Sequence, residues 1–312
     1  MTLKKSRRNF IINAATLSAA TLATPVATFA SAFTNLQEKS DFQLNENPLR
    51  LGLMTYLIGA DWDIETIIEN LKTTKIEHVE LRTTHKHGVE VSLNKQQRID
   101  VKKRFKEANI AISLASGFSY HHEDQNELRK NIEGTKEYLQ LASDLGAEGV
   151  RVFPNEVPEE GNKNREKILI QIAKSASECA NIGYNLGVQV RLEEHGKGTA
   201  NIPVIRQILD YANNPHLYII WNCSDSDFTG EGLPKGYEGM GLEKQFDLVK
   251  DRIGCVHLRE LSTNYPWRKL FSLLNTSGYK GYCDIEVSPA SCEPIRYLDN
   301  YRALFLALQN AL

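Results

Sequence analysis

The chain has 312 residues, a formal net charge of −2 and 41% hydrophobic residues. This length suits one barrel-sized domain of roughly 250 residues plus extensions, and this apolar content excludes a disordered chain. Near-neutral charge without a long basic stripe speaks against nucleic acid as a partner.

The N-terminus reads as a leader. Lys4, Lys5, Arg7 and Arg8 form a basic start, an apolar run follows from Ile11 to Phe29, and Ala30-Ser31-Ala32 is an A-x-A cleavage signal. The run Ser6 to Ile11 contains the Arg7-Arg8 pair of a twin-arginine export signal. Residues 1–32 are therefore expected to be a signal peptide that directs the protein to the bacterial periplasm. Residues 33–48 are polar and read as a linker, and no membrane contact is expected once the leader is removed. The five cysteines, Cys179, Cys223, Cys255, Cys283 and Cys292, are odd in number and lack a C-x-x-C pair. They read as small buried residues rather than a disulfide framework or a thiolate metal site.

From Leu49 to Leu312 strand and helix signals alternate, the pattern of a parallel α/β domain. Strands are predicted near 50–56, 77–82, 110–116, 148–153, 187–193, 217–222, 253–258 and 281–287. Between them, Ile64, Ile67, Ile68 and Leu71 share a helical face. So do Leu128, Ile132, Thr135, Leu139 and Ala142, and again Ile168, Ile172, Ser175 and Cys179. Gly146 sits where a helix ends before the fourth strand. Eight strand–helix units predict a (β/α)8 TIM barrel. An open doubly wound sheet is the alternative, but residues 54–59 lack its glycine-rich phosphate loop. The loops 83–93, 117–124 and 223–241 are expected to rim the mouth at the strand C-termini.

Chemistry-bearing residues collect at those strand ends. Glu80 lies on the second strand, with His78 and Arg82 on the same face, and His87 follows in the next loop. Glu193 closes the fifth strand, and His195, two residues on, shares its side. Asn222 and Asp225 follow the sixth, His257 closes the seventh with Glu260 just beyond, and Glu286 closes the eighth. Carboxylates and an imidazole converging on one mouth predict a single divalent metal site. Glu193 and Glu286 form the leading pair, as ligands and as acid–base groups. His257 is the nitrogen ligand. Asn222 could add an uncharged amide oxygen, and Asp225 could replace or assist it. Glu80, His87, His195, Asp225 and Glu260 are candidates for orienting ligands or touching substrate. Glu194 would face the opposite side of its strand, and Trp221 and Tyr120 would serve as core or as sugar-stacking surfaces.

The motifs His78 to Arg82, Leu192 to Gly196, Trp221 to Asp225, Val256 to Glu260 and Gly281 to Glu286 resemble those of the xylose isomerase-like TIM-barrel superfamily, often called sugar phosphate isomerases/epimerases. The segment Leu81 to Glu90 and the Trp221-Asn222 pair look like an exported bacterial subgroup. The resemblance covers about Leu49 to Leu312. It implies a metal set of Glu193, His257 and Glu286 with Asn222 where an Asp is usual. It also implies one Mn, Co, Mg or Zn ion, and Glu193 and Glu286 as the bases beside the substrate.

These readings converge on a metal-dependent isomerase/epimerase that removes a proton alpha to a carbonyl of a small carbohydrate. Export favours a non-phosphorylated sugar. A 3-keto-glycoside lyase or hydratase and an inactive sugar-binding protein are the alternatives. A phosphodiesterase branch of the same barrel is disfavoured by charge and export. A homo-oligomer is compatible with all of these.

Overall fold

The protein is described here by a computed structural model covering residues 48–288 and 293–310. The expected leader, the linker apart from Pro48, and Cys292 lie outside the described residues. Strand β1 (Arg50–Met54) leads to helix α1 (Ile64–Thr74), β2 (His78–Arg82) to α2 (Lys95–Glu107), β3 (Ala111–Ser119) to α3 (Gln125–Leu145), and β4 (Gly149–Phe153) to α4 (Arg165–Leu186). Then β5 (Gln189–Glu193) leads to α5 (Ile202–Ala212), and β6 (Leu217–Trp221) to the one-turn α6 (Ser226–Thr229) and α7 (Leu242–Val249). Finally β7 (Ile253–Leu258) leads to α8 (Trp267–Thr276), and β8 (Tyr282–Ile285) to α9 (Pro294–Leu308).

All neighbouring strands pair in parallel, and β8 closes onto β1 through Arg50↔Tyr282 and Leu53↔Ile285. That closure excludes the open sheet. Helix ends follow local chemistry. Asp63, Asn94, Asp124 and Asn201 accept first-turn backbone N–H groups, and Gly146 and Gly187 end α3 and α4 at positive φ. The faces expected on α1, α3 and α4 are buried against the barrel, with Ile68 partly so.

Strand alternation sorts the side chains. Val79 and Leu81, Val190 and Leu192, Val256 and Leu258 point outward under the helices and build the apolar core. Many inward positions, among them His78, Glu80, Ser113, Arg151, Arg191 and Glu193, are polar, where such barrels are usually filled by branched apolar residues. Low in the barrel, Asp284 Oδ1 lies 2.8 Å from His78 Nδ1, His78 Nε2 lies 3.0 Å from Ser113 Oγ, and Arg191 Nη1 donates to the same hydroxyl at 3.1 Å. Gly52 is needed beside them, since a Cβ there would stand 1.8 Å from Asp284 Oδ1. The four cysteines among the described residues are free and buried.

One loop expectation is corrected. Strand β3 runs on to Ser119 through a bulge, pairing Ala115 with Arg151 and Ser119 with Phe153. Four residues of β3 thus span two of β4, which carries the strand past Gly117 into the expected loop 117–124. No helix among the described residues is long and apolar enough to cross a membrane.

Candidate active site

The ends of β2, β5, β7 and β8 bring four titratable side chains together inside the mouth. His257, fully buried, is the hub. Its Nε2 lies 2.9 Å from Glu80 Oε2, and a carboxylate oxygen can only accept, so Nε2–H is the donor. Among the described residues its Nδ1 has no hydrogen-bond partner, yet it stands 3.5 Å from Glu286 Oε2 and 3.8 Å from Glu193 Oε1. Two donors at tetrahedral angles around one zinc are about 3.4 Å apart. One ligand atom from each of Glu193, His257 and Glu286 therefore fits a single divalent ion. The link from imidazole to Glu80 is the usual way a metal-binding histidine is oriented.

Electrostatics point the same way. Burial alone would lower the pKa of His257, but the charges of Glu80 and Glu286 push it well above the ordinary value. The pocket thus favours positive charge at Nδ1, which a metal ion can supply in place of a proton. The two flanking carboxylates differ. Burial would raise the pKa of Glu193, but the Arg151 guanidinium, at 2.9 Å from Oε2, and His257 hold it down at about 2. Glu286 lacks such a partner, and burial raises its pKa against the opposing charge of His257. Its side chain is 17% exposed, against 2% for Glu193.

Asn222 completes the rim of the cluster. Its Nδ2 donates to Glu193 Oε1 at 3.2 Å and to the Glu194 carbonyl at 3.3 Å. Both partners are pure acceptors, so the amide nitrogen, not the oxygen, faces Glu193. Asn222 thus stands beside Glu193 as a hydrogen-bond donor.

The sequence profile of the xylose isomerase-like TIM barrel matches residues 68–303. The chain belongs to that family. No curated protein matches it. Among solved structures it is similar to the 3-keto-D-glucoside 4-epimerase YcjR from E. coli, at 14% identity and a TM-score of 0.66, over 83% of this chain and 99% of that one. An L-ribulose 3-epimerase gives 14% identity and a TM-score of 0.66, over 84% of this chain and 95% of that one. The IolI protein with a bound zinc atom gives 12% identity and a TM-score of 0.64, over 83% and 98%.

On this xylose isomerase-like barrel the remaining expected residues separate. Glu80 joins the cluster, and His195 stands at its edge. The His195 ring is 4.6 Å from Phe153, over which Arg151 stacks at 4.2 Å, and its Nδ1 lies 3.1 Å from Asn155 Oδ1. Three others go elsewhere, each for a local reason. His87 is buried with both ring nitrogens used, on the Arg82 carbonyl at 2.8 Å and the Val89 N–H at 3.0 Å, so it braces its loop and has nothing left for a substrate. Asp225 is exposed at the start of α6, because the chain turns away at Cys223, where φ is 50°. Glu260 is exposed and accepts the Tyr297 hydroxyl of α9 at 2.6 Å. Trp221 and Tyr120 are fully buried and do not offer sugar-stacking faces.

Arg151 is the side chain at this cluster that the sequence reading missed. It is 3% exposed and also donates through Nη2 to the Ser116 carbonyl at 2.9 Å. An inward arginine two residues before the predicted end of strand four, in the same position as Arg191 on strand five, was the available signal.

Proposed function

We propose that this protein is a metal-dependent carbohydrate enzyme that removes a proton alpha to a carbonyl of a non-phosphorylated sugar, leading to isomerisation or epimerisation. The observation that carries this reading is the unpartnered, buried His257 Nδ1 between Glu193 and Glu286, with Nε2 tied to Glu80. Glu193, His257 and Glu286 would hold one divalent ion; one nitrogen and two carboxylate ligands suit Mn, Co or Zn, with Mg also compatible with the oxygens. When bound, that ion supplies Lewis-acid polarisation of the substrate carbonyl.

The protein's own groups divide the remaining work. Arg151 and Asn222 keep Glu193 ionised and fixed. Glu80 sets the ring of His257. Glu286, the more exposed carboxylate and the one with the raised pKa, takes the alpha proton at its Oε atoms. The similarity in fold to proteins named as sugar epimerases supports a carbohydrate substrate. The unequal carboxylates favour a second outcome on the same first step, elimination from a 3-keto-glycoside, because Glu286 can take the alpha proton and then hand it to the departing glycosidic oxygen as the C–O bond breaks. The leader-like residues 1–32 support export, which cleavage of that segment in a periplasmic fraction would test.

The test begins with metal per chain in protein purified without chelator, followed by incubation in D2O with D-tagatose and a 3-keto-glucoside. Metal-dependent deuterium entry at the alpha carbon is expected. No bound metal, with no thermal shift on adding Mn, Co, Mg or Zn, would overturn the proposal and favour a sugar-binding protein.

A further inference from the structure

The mouth has a second wall, opposite in charge to the carboxylates. On β3, Ala115 stands in register with Arg82 of β2 and with Arg151 of β4, so two arginines flank one methyl group. Both face inward. Arg82 lies two residues beyond Glu80, which reaches His257, and Arg151 reaches Glu193. Arg151 is committed to Glu193 and Ser116, but Arg82 is held from one side only. Its Nη1 donates to the Thr83 carbonyl at 2.6 Å and the Thr83 hydroxyl at 2.8 Å. Among the described residues no carboxylate forms an ion pair with it.

The acid of its own loop is already engaged. Glu90 Oε1 accepts the Thr84 N–H at 2.6 Å, and Oε2 accepts the Tyr138 hydroxyl. Burial and the charge of Arg151 push the pKa of Arg82 below its ordinary value, against the charge of Glu90. Beside it, Tyr56 is 45% exposed, with its ring 5.8 Å from the guanidinium carbon, and His85 stacks on that ring at 6.4 Å. A neutral sugar leaves this charge unbalanced, whereas a carboxylate matches the planar fork of an arginine.

We propose that Arg82, backed by Arg151, receives a carboxylate of the substrate while Tyr56 supports the sugar ring, so that the substrate class is a uronic-acid type sugar instead of a neutral one. The proposal rests on the proton-abstraction reading of the same site and adds its substrate class. Arg82 is a specificity-determining residue in this scheme, and Arg151 contributes charge from behind.

The experiment compares binding of D-glucuronate and D-glucose by titration calorimetry, and deuterium exchange of D-tagaturonate and D-tagatose, in the metal-loaded full chain. Each acid is expected to be preferred over its neutral counterpart by about tenfold or more, the scale of one charge-assisted contact. Arg82→Gln should remove the preference, and Arg82→Lys should keep part of it. Equal affinity for the two sugars in the unaltered protein, or a preference that survives Arg82→Gln, overturns the proposal. Exchange and binding measured side by side on the unaltered protein and on Arg82→Gln separate the two readings. Absence of exchange with every sugar while the Arg82-dependent preference stands would sink the catalytic reading and leave the carboxylate subsite intact.

Discussion

Glu193 and Glu194 are neighbours in the chain, both buried, and they live in opposite worlds. Glu193 points into the barrel mouth, where Arg151 and Asn222 hold it and its pKa falls to about 2. Glu194 points outward, into the layer between the wall and the helices. There, burial and the charge of Asp227 push its pKa well above the usual range, and among the described residues Oε1 has no hydrogen-bond partner. Asp227 shares that layer and is pushed up to about 7 by burial, against the hydrogen bond from the Tyr265 hydroxyl at 2.8 Å. Tyr265 in turn accepts the indole N–H of Trp221 at 3.1 Å. Equal burial thus yields opposite chemistry. A fixed cation keeps one carboxylate charged against its burial, while burial reinforced by a second acid pushes the other toward the neutral form.

The comparison breaks most easily at the two glutamates themselves. Glu193→Gln should lower deuterium exchange by about 10²-fold or more and release the metal, since it removes a ligand and a charge. Glu194→Gln should retain metal content and exchange within about threefold, because a protonated acid and an amide are both neutral. If the two variants lose metal alike, the two-sided picture fails.

Removing the cation is the next largest perturbation. Arg151→Met leaves Glu193 buried and unpaired and should cost about 3–5 kcal/mol in urea unfolding of the apoprotein. A loss below about 1 kcal/mol would mean the pair contributes little.

Glu80→Gln should weaken metal affinity by about 10–100-fold without removing a ligand, as read by competition with a chelator. An unchanged affinity would deny Glu80 its orienting role.

The outer layer predicts a pH effect. The pKa of Asp227 is about 7 in the fold against 3.8 for an ordinary aspartate. The folded state therefore binds more protons, so this contribution to stability is complete below about pH 4 and is lost as pH rises through about 7. Melting temperature should fall across that window, and Asp227→Asn should flatten the fall. The smallest effect is expected outside both layers. Asp225→Asn should leave metal content and exchange unchanged, because the residue is exposed at α6.

Much of this was legible in the chain because local rules govern it. Each of Glu193, His257 and Glu286 lies at the end of an apolar strand-like run that a helix follows, and in a parallel barrel such ends share one mouth. The barrel itself follows from eight such units, and all eight strands lie where they were predicted, with shifts of a few residues at their ends. Loop residues were less legible. Asp225 and Glu260 are within three residues of Asn222 and His257, but the chain turns immediately after the strand ends, so short sequence distance gave no spatial contact. His87 had the right chemistry for a sugar site, and only its two hydrogen bonds show that its loop uses it up.

The sequence by itself determined the strand–helix alternation, the polar strand ends and the side-chain types there, because hydrophobic period and strand termini are local properties. Only the tertiary structure decided which acid stays charged, which nitrogen of His257 is free, and which side of Asn222 faces Glu193. Those depend on Arg151, Glu80 and Asp227, which lie 42, 177 and 33 residues from their partners Glu193, His257 and Glu194. Barrel closure and strand register set those distances, and a local pattern carries no information about them.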